Sequence, residues 1–184
     1  MAISKIQSES LNLADTYAFT GTVTGAGGVN TPAFFASVSA DQTVTDNAVT
    51  KVQCDTEHFD TNSAYDNSTN YRFTVPSGQA GKYHVYASLQ TRSVNNTEQY
   101  NTTAFIYKNG SNFLANEINP YNNPISVVNT KLSAVIDLSV GDYLEFYGRS
   151  DTVSGTVYFR HDSAAHTDNP TVGTTHWGAY KIIE

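Results

Sequence analysis

In Lys82-Tyr83-His84-Val85-Tyr86-Ala87-Ser88-Leu89 the side chains alternate. An extended backbone sends successive side chains to opposite faces. Tyr83, Val85, Ala87 and Leu89 therefore share one face, and His84, Tyr86 and Ser88 the other. The same two-residue period returns in Tyr71-Arg72-Phe73-Thr74-Val75, which stops at Pro76, and in Leu132, Ala134, Ile136 and Leu138. Gly141-Asp142 then turns the chain into Tyr143-Leu144-Glu145-Phe146-Tyr147. Residues 102–107 and 111–116 flank Lys108-Asn109-Gly110, and Asn-Gly between such runs marks a β-hairpin. Further β-branched or aromatic runs occupy 33–38, 43–45, 49–54, 156–160 and 177–183. No segment carries a convincing helical period, and residues 4–14 offer only a thin apolar face for a short helix. About eight to ten short strands at regular spacing predict an all-β fold, a two-sheet jelly-roll sandwich.

The composition agrees. The chain has 184 residues, enough for one domain with a full core. Charged residues are 15%, against about 25% in an average soluble domain. That argues against long charged helices and coiled coils. A net charge of -7 with ten Lys plus Arg lacks the basic footprint of a nucleic-acid binder. Cys54 is the single cysteine, so no intrachain disulfide forms, and it reads as a small buried hydrophobe. His58 is the nearest base, but i and i+4 on one strand lie too far apart to hydrogen-bond. No apolar run reaches the length of a signal peptide or a membrane span. The expectation is a protein made in a host cytoplasm and released by lysis.

Residues 1–32 differ from the rest. They read as an extended N-terminal attachment arm, with Ile3, Ile6, Leu11, Leu13, Tyr17 and Phe19 as its apolar contacts. Gly21 to Gly28, GTVTGAGG, reads as a flexible or turn-rich joint. Residues 33–184 form the globular domain. Several of its strands carry bulky apolar groups on both faces, such as Ala104 and Ile106 against Phe105 and Tyr107, or Leu144 and Phe146 against Tyr143 and Tyr147. A sandwich hides one face per sheet. Aromatics on the other face call for a partner, and subunit interfaces enrich Tyr, Phe and Trp while depleting charge.

The segment from Cys54 to Leu89 resembles the signature of the globular head of the first complement component, within the tumour-necrosis-factor-like jelly-roll superfamily. The matching residues are Asp60, Tyr65, Phe73 and Gly81-Lys82-Tyr83-His84-Val85. Leu138-Ser139-Val140-Gly141-Asp142 resembles the family's Leu-x-x-Gly-Asp, and Trp177-Gly178-Ala179-Tyr180 its closing Phe-Ser-Gly-Phe. The chain departs from the pattern in three respects. Cys54 replaces a first Phe, Val85 replaces the last, and two spacings are longer. The resemblance covers residues 33–184 and implies a tight homotrimer built through aromatic sheet faces. The first residues, MAISKIQSESLNLADTYAFTG, resemble the leader of structural proteins of tailed bacteriophages, marine ones especially.

Motifs of catalysis are missing. There is no Gly-x-Ser-x-Gly elbow, phosphate loop, His-Glu-x-x-His or cysteine pair. His161 and His166, with Asp162 and Asp168, read as a solvated loop rather than a metal site. Asp41, Asp60 and Asp66 stand in loops and could hold calcium, as some family members do. They lack an Asp-x-Asp-x-Asp-Gly pattern, so no cofactor is expected. His58, His84 and His176 read as packed or hydrogen-bonded structural residues. Tyr100 and Tyr121 are loop aromatics suited to stacking on sugars, and Trp177 belongs to the core. The expected function is therefore non-enzymatic. It is a trimeric bacteriophage virion protein that decorates head or tail, anchors to other virion proteins by its arm and contacts host surface polysaccharide. Competing readings are a tail-associated glycan depolymerase, the receptor-binding tip of a multi-protein fibre, and a soluble ligand of the tumour-necrosis type.

Overall fold

The computed structural model describes residues 30–94, 99–153, 155–161 and 172–182. The apolar arm residues Ile3 to Phe19, the short helix, the Gly-rich joint, Asp162, His166 and Asp168 lie outside them. Thirteen strands form among the described residues, all paired antiparallel. They are β1 (Ala33–Ser37), β2 (Gln42–Val44), β3 (Thr50–Lys51), β4 (Thr56–Asp60), β5 (Tyr65–Asp66), β6 (Arg72–Thr74), β7 (Gly81–Ser93), β8 (Gln99–Lys108), β9 (Ser111–Ile118), β10 (Val127–Leu138), β11 (Tyr143–Thr152), β12 (Val157–Phe159) and β13 (His176–Lys181).

The number exceeds the sequence expectation, and β4 and β5 fall outside the runs read from the sequence. The run 49–54 forms less ladder than its length suggests. Only Thr50 and Lys51 pair with β11, yet Val52 and Cys54 are fully buried. The apolar pattern there reports burial rather than a ladder.

Two sheets face each other. The seven-stranded sheet runs β2-β12-β7-β13-β1-β4, with β10 on the other edge of β7. The six-stranded sheet runs β5-β6-β11-β8-β9, with β3 also on β11. Tyr83, Val85, Ala87 and Leu89 of β7 all point into the core, as do Leu132, Ile136 and Leu138 of β10. Phe73, Ala104, Ile106, Leu144 and Phe146 answer from the opposite sheet. Each large side chain so buried contributes about 1.5–3 kcal/mol before the entropy of ordering is counted. Asn109 and Gly110 have φ of 52° and 78° and close the β8–β9 hairpin, a left-handed pair that Asn-Gly adopts readily.

One end of the core is polar. Gln99 is fully buried; its amide donates to the carbonyls of Ser126 (2.6 Å) and Thr91 (3.2 Å). Its carbonyl accepts from Thr91 Oγ1 and from Ser150 Oγ at 2.9 Å. These bonds satisfy a side chain whose burial would otherwise be costly, and they pin the loop 119–126 to the sandwich.

Candidate functional site

The signature residues build structure. Phe34 of β1 stacks on Tyr65 (4.6 Å) and Phe73 (5.1 Å) and meets Trp177 edge-on at 4.8 Å. Phe73 also packs against Tyr83, 5.6 Å away. Tyr65 donates its hydroxyl proton to the Cys54 carbonyl (2.8 Å) and accepts from Trp177 Nε1 (3.4 Å). Burial pushes the Tyr65 phenol far above its usual range. It pushes Tyr83, which donates to the Gln79 carbonyl at 2.6 Å, up to about 12. Asp60 accepts from Tyr65 N (2.7 Å) and so closes the loop between β4 and β5. The sequence pattern named every member of this cluster except its hub, Phe34.

Gly141 and Asp142 make the turn into β11. Gly141 has φ 82°. Asp142 accepts from Asn109 Nδ2 (2.7 Å) and Ser139 N (2.9 Å) and pairs with Lys108 at 3.0 Å. The Asn109 amide first, then the Ser139 N–H and Lys108, hold its carboxyl at about 2. The Gly-Asp motif thus ties one sheet turn to the tip of the neighbouring hairpin. Gly178 serves close approach. A Cβ there would stand 2.5 Å from Tyr86 Oη and 2.6 Å from the Phe34 carbonyl. The missing side chain lets Tyr86 lie across β13.

Tyr86 belongs to the outer face of the seven-stranded sheet. Alternation and register bring Phe35 of β1, Phe59 of β4, His84 and Tyr86 of β7, and His176 and Tyr180 of β13 onto it, and a register shift opposite Phe35 and Ala36 adds His58 of β4. Phe35 is the centre. Its ring lies 5.0 Å from His58, 5.5 Å from His176 and 6.2 Å from both Phe59 and Tyr86. His84 sits 5.2 Å from Tyr180 and 5.9 Å from Tyr86. Phe59 is 48% exposed, Tyr180 36% and the neighbouring Val135 57%. An open depression of about 350 Å³, lined by Tyr86, Ser88, Lys131, Ser133 and His176, continues the face towards β10. The sequence reading set His84, Tyr86 and Ser88 apart on this side of β7. It did not join them to Phe35 and Phe59, because strand order was needed for that.

The outer face of the six-stranded sheet is different. Tyr107 and Tyr147 pack with tilted rings at 4.3 Å, with Phe105 edge-on to Tyr107 and only 8% exposed. Lys51 pairs with Glu145 at 2.6 Å and lies over Tyr147, and Arg72 lies over Tyr143. Arg149 pairs with Glu117 at 3.4 Å. The rings that prompted the sequence expectation of an interface are thus largely covered within the chain.

At the polar end of the core, Tyr100, which stands half-buried in β8 rather than in a loop, packs at 5.0 Å on Tyr121, 65% exposed. Trp177 is fully buried, as expected. The three aspartates serve different contacts, and Asp60 and Asp66 end strands β4 and β5 rather than standing in loops. Asp41 pairs with Arg160 and accepts from His161 N, while Asp60 is used as above. Asp66 accepts from the N–H groups of Thr69, Ser68 and Asn70, which hold its carboxyl far below the usual range. No group of three or more His, Cys, Asp or Glu placed to hold a metal occurs among the described residues.

No protein-family model matches the chain, and no curated protein matches it significantly by sequence. Solved structures do match in fold. Eiger, a tumour-necrosis-factor protein of S. frugiperda, superposes with a TM-score of 0.56 at 14% identity, covering 83% of this chain and 92% of that one. Murine APRIL gives 0.54 at 11%, covering 82% and 98%. The globular domain of zebrafish complement 1qA gives 0.52 at 12%, covering 83% and 98%. The described residues therefore share the jelly-roll fold of these three structures.

Proposed function

We propose that this protein is a non-enzymatic, homotrimeric structural protein of a bacteriophage virion, and that it self-associates through the outer face of its seven-stranded sheet. The observation that carries the self-association is the ring cluster centred on Phe35, with Phe59, Val135 and Tyr180 left open around it. A face of this kind is an association surface rather than a solvated one. The fold superfamily supports the threefold state through the resemblance described above. The phage setting rests on the likeness of residues 1–21 to virion leaders, and residues 1–32 are assigned to attachment. The exposed Tyr121, backed by Tyr100, is the part of the head assigned to host polysaccharide. A trimer repeats that contact three times and raises its avidity through effective concentration.

Light scattering of the full chain at micromolar concentration tests the assembly: a trimer is expected, and a monomer refutes it. Deleting residues 1–25 tests the attachment. The shortened protein should remain trimeric and fail to join particles, and incorporation at normal copy number would refute the arm's role. Incubation with host polysaccharide separates the adhesin from the depolymerase. Binding without release of reducing ends is expected, and turnover would overturn the non-enzymatic reading.

A further inference from the structure

Three of the four histidines among the described residues, His58, His84 and His176, lie on the face assigned to self-association; His161 does not. His58 Nε2 is bonded to Ser37 Oγ at 2.9 Å, and His176 Nδ1 donates to the Gly173 carbonyl at 2.9 Å. His84 Nδ1 is buried without a hydrogen-bond partner, so a proton there would be a charged N–H with no acceptor. The strands around them carry more cations than carboxylates. Glu57 and Asp60 lie on β4, Lys82 and Arg92 on β7, Lys131 and Asp137 on β10 and Lys181 on β13, while β1 brings none. Two phenols, Tyr86 and Tyr180, also border the cluster. Among the described residues no carboxylate forms a salt bridge with any of the three imidazoles.

From this cluster we infer that His58, His84 and His176 make self-association pH-dependent, so that acidification separates the subunits while each jelly roll stays folded. The inference rests on the proposed interface. Burying the imidazoles between subunits takes any charge on them out of water, so protonation and association oppose each other. Association is then strongest above about pH 7 and weakens as pH falls through the ordinary histidine range near 6.5. Three histidines per subunit bring several such charges into one trimer.

Sedimentation velocity of the full chain at about pH 7.5 and about pH 5.5 tests this, with far-ultraviolet circular dichroism at each pH to follow the fold. The expected result is a trimer at the higher pH. At the lower pH association should be at least about tenfold weaker, with an unchanged β spectrum. A His58→Gln, His84→Gln, His176→Gln triple variant keeps His161 and His166. It should associate equally at both values, though more weakly overall if the rings also pack. A wild-type trimer that is equally tight at both pH values overturns the inference and leaves the interface standing. A triple variant that still separates on acidification also overturns it, because other groups are then responsible. A monomer at the higher pH overturns the interface itself and the inference with it.

Discussion

The two outer faces of the sandwich are both aromatic, yet they are finished in different ways. On the six-stranded sheet, cations of the same chain cover the rings, Lys51 over Tyr147 and Arg72 over Tyr143, and Arg149 pairs with Glu117 across Thr103. On the seven-stranded sheet the rings of Phe35, Phe59, Tyr86 and Tyr180 pack on one another and on three imidazoles, and they stay open at the rim. The first face is covered within one subunit except at its edge strand β9, where Phe113 is 52% exposed. The second has the composition of half an interface. Counting aromatic residues along the sequence cannot separate these cases; the positions of long charged side chains across neighbouring strands can.

The largest expected effect breaks the open face. Phe35→Arg places a charge at the centre of the ring cluster and should weaken self-association by at least about 100-fold while leaving the fold intact. Analytical ultracentrifugation with circular dichroism checks both parts. Gly178→Ala attacks the same face from below, because its Cβ must displace Tyr86 and the Phe34 carbonyl. Overpacking of this kind costs about 1–3 kcal/mol, read as a lower urea midpoint, and should also loosen the assembly. On the covered face the pattern reverses. Glu145→Ala removes the partner of Lys51 and should cost about 1–2 kcal/mol of stability, with the oligomeric state unchanged.

Asp142→Asn gives the smallest effect, about 1 kcal/mol at neutral pH, since Asn109 and Lys108 lose a carboxylate acceptor. Its pH dependence has a fixed sign. The Asp142 pKa is depressed to about 2 in the fold, so its contribution is fully present above the unfolded value near 4. It is lost as pH falls through the folded value. Wild type and variant should therefore converge in stability only in strong acid, which urea titrations across pH would measure.

Much of this was legible in the sequence. The alternation in β7 and β10 placed their core residues correctly, and the Asn-Gly turn placed the β8–β9 hairpin. The family signature picked out Tyr65, Phe73, Tyr83 and Trp177, which do meet. Strand β4 was missed because Glu57 and Asp60 break its apolar pattern. It lies at the sheet edge, where charge is tolerated. The open face was only half legible. His84 and Tyr86 read as a second side of β7, but Phe35, Phe59, His176 and Tyr180 join them through pairings between β1, β4, β7 and β13. Those contacts are distant in sequence, and no local period encodes them.

Hydroxyl-radical footprinting of the full chain, read residue by residue by mass spectrometry, tests the open face most directly. At micromolar concentration Phe59, Tyr86 and Tyr180 should be protected, Tyr121 should be labelled heavily, and dilution should restore labelling of the first three. Labelling of Phe59 and Tyr180 that follows their exposure in a single subunit, 48% and 36%, and ignores concentration would contradict the account.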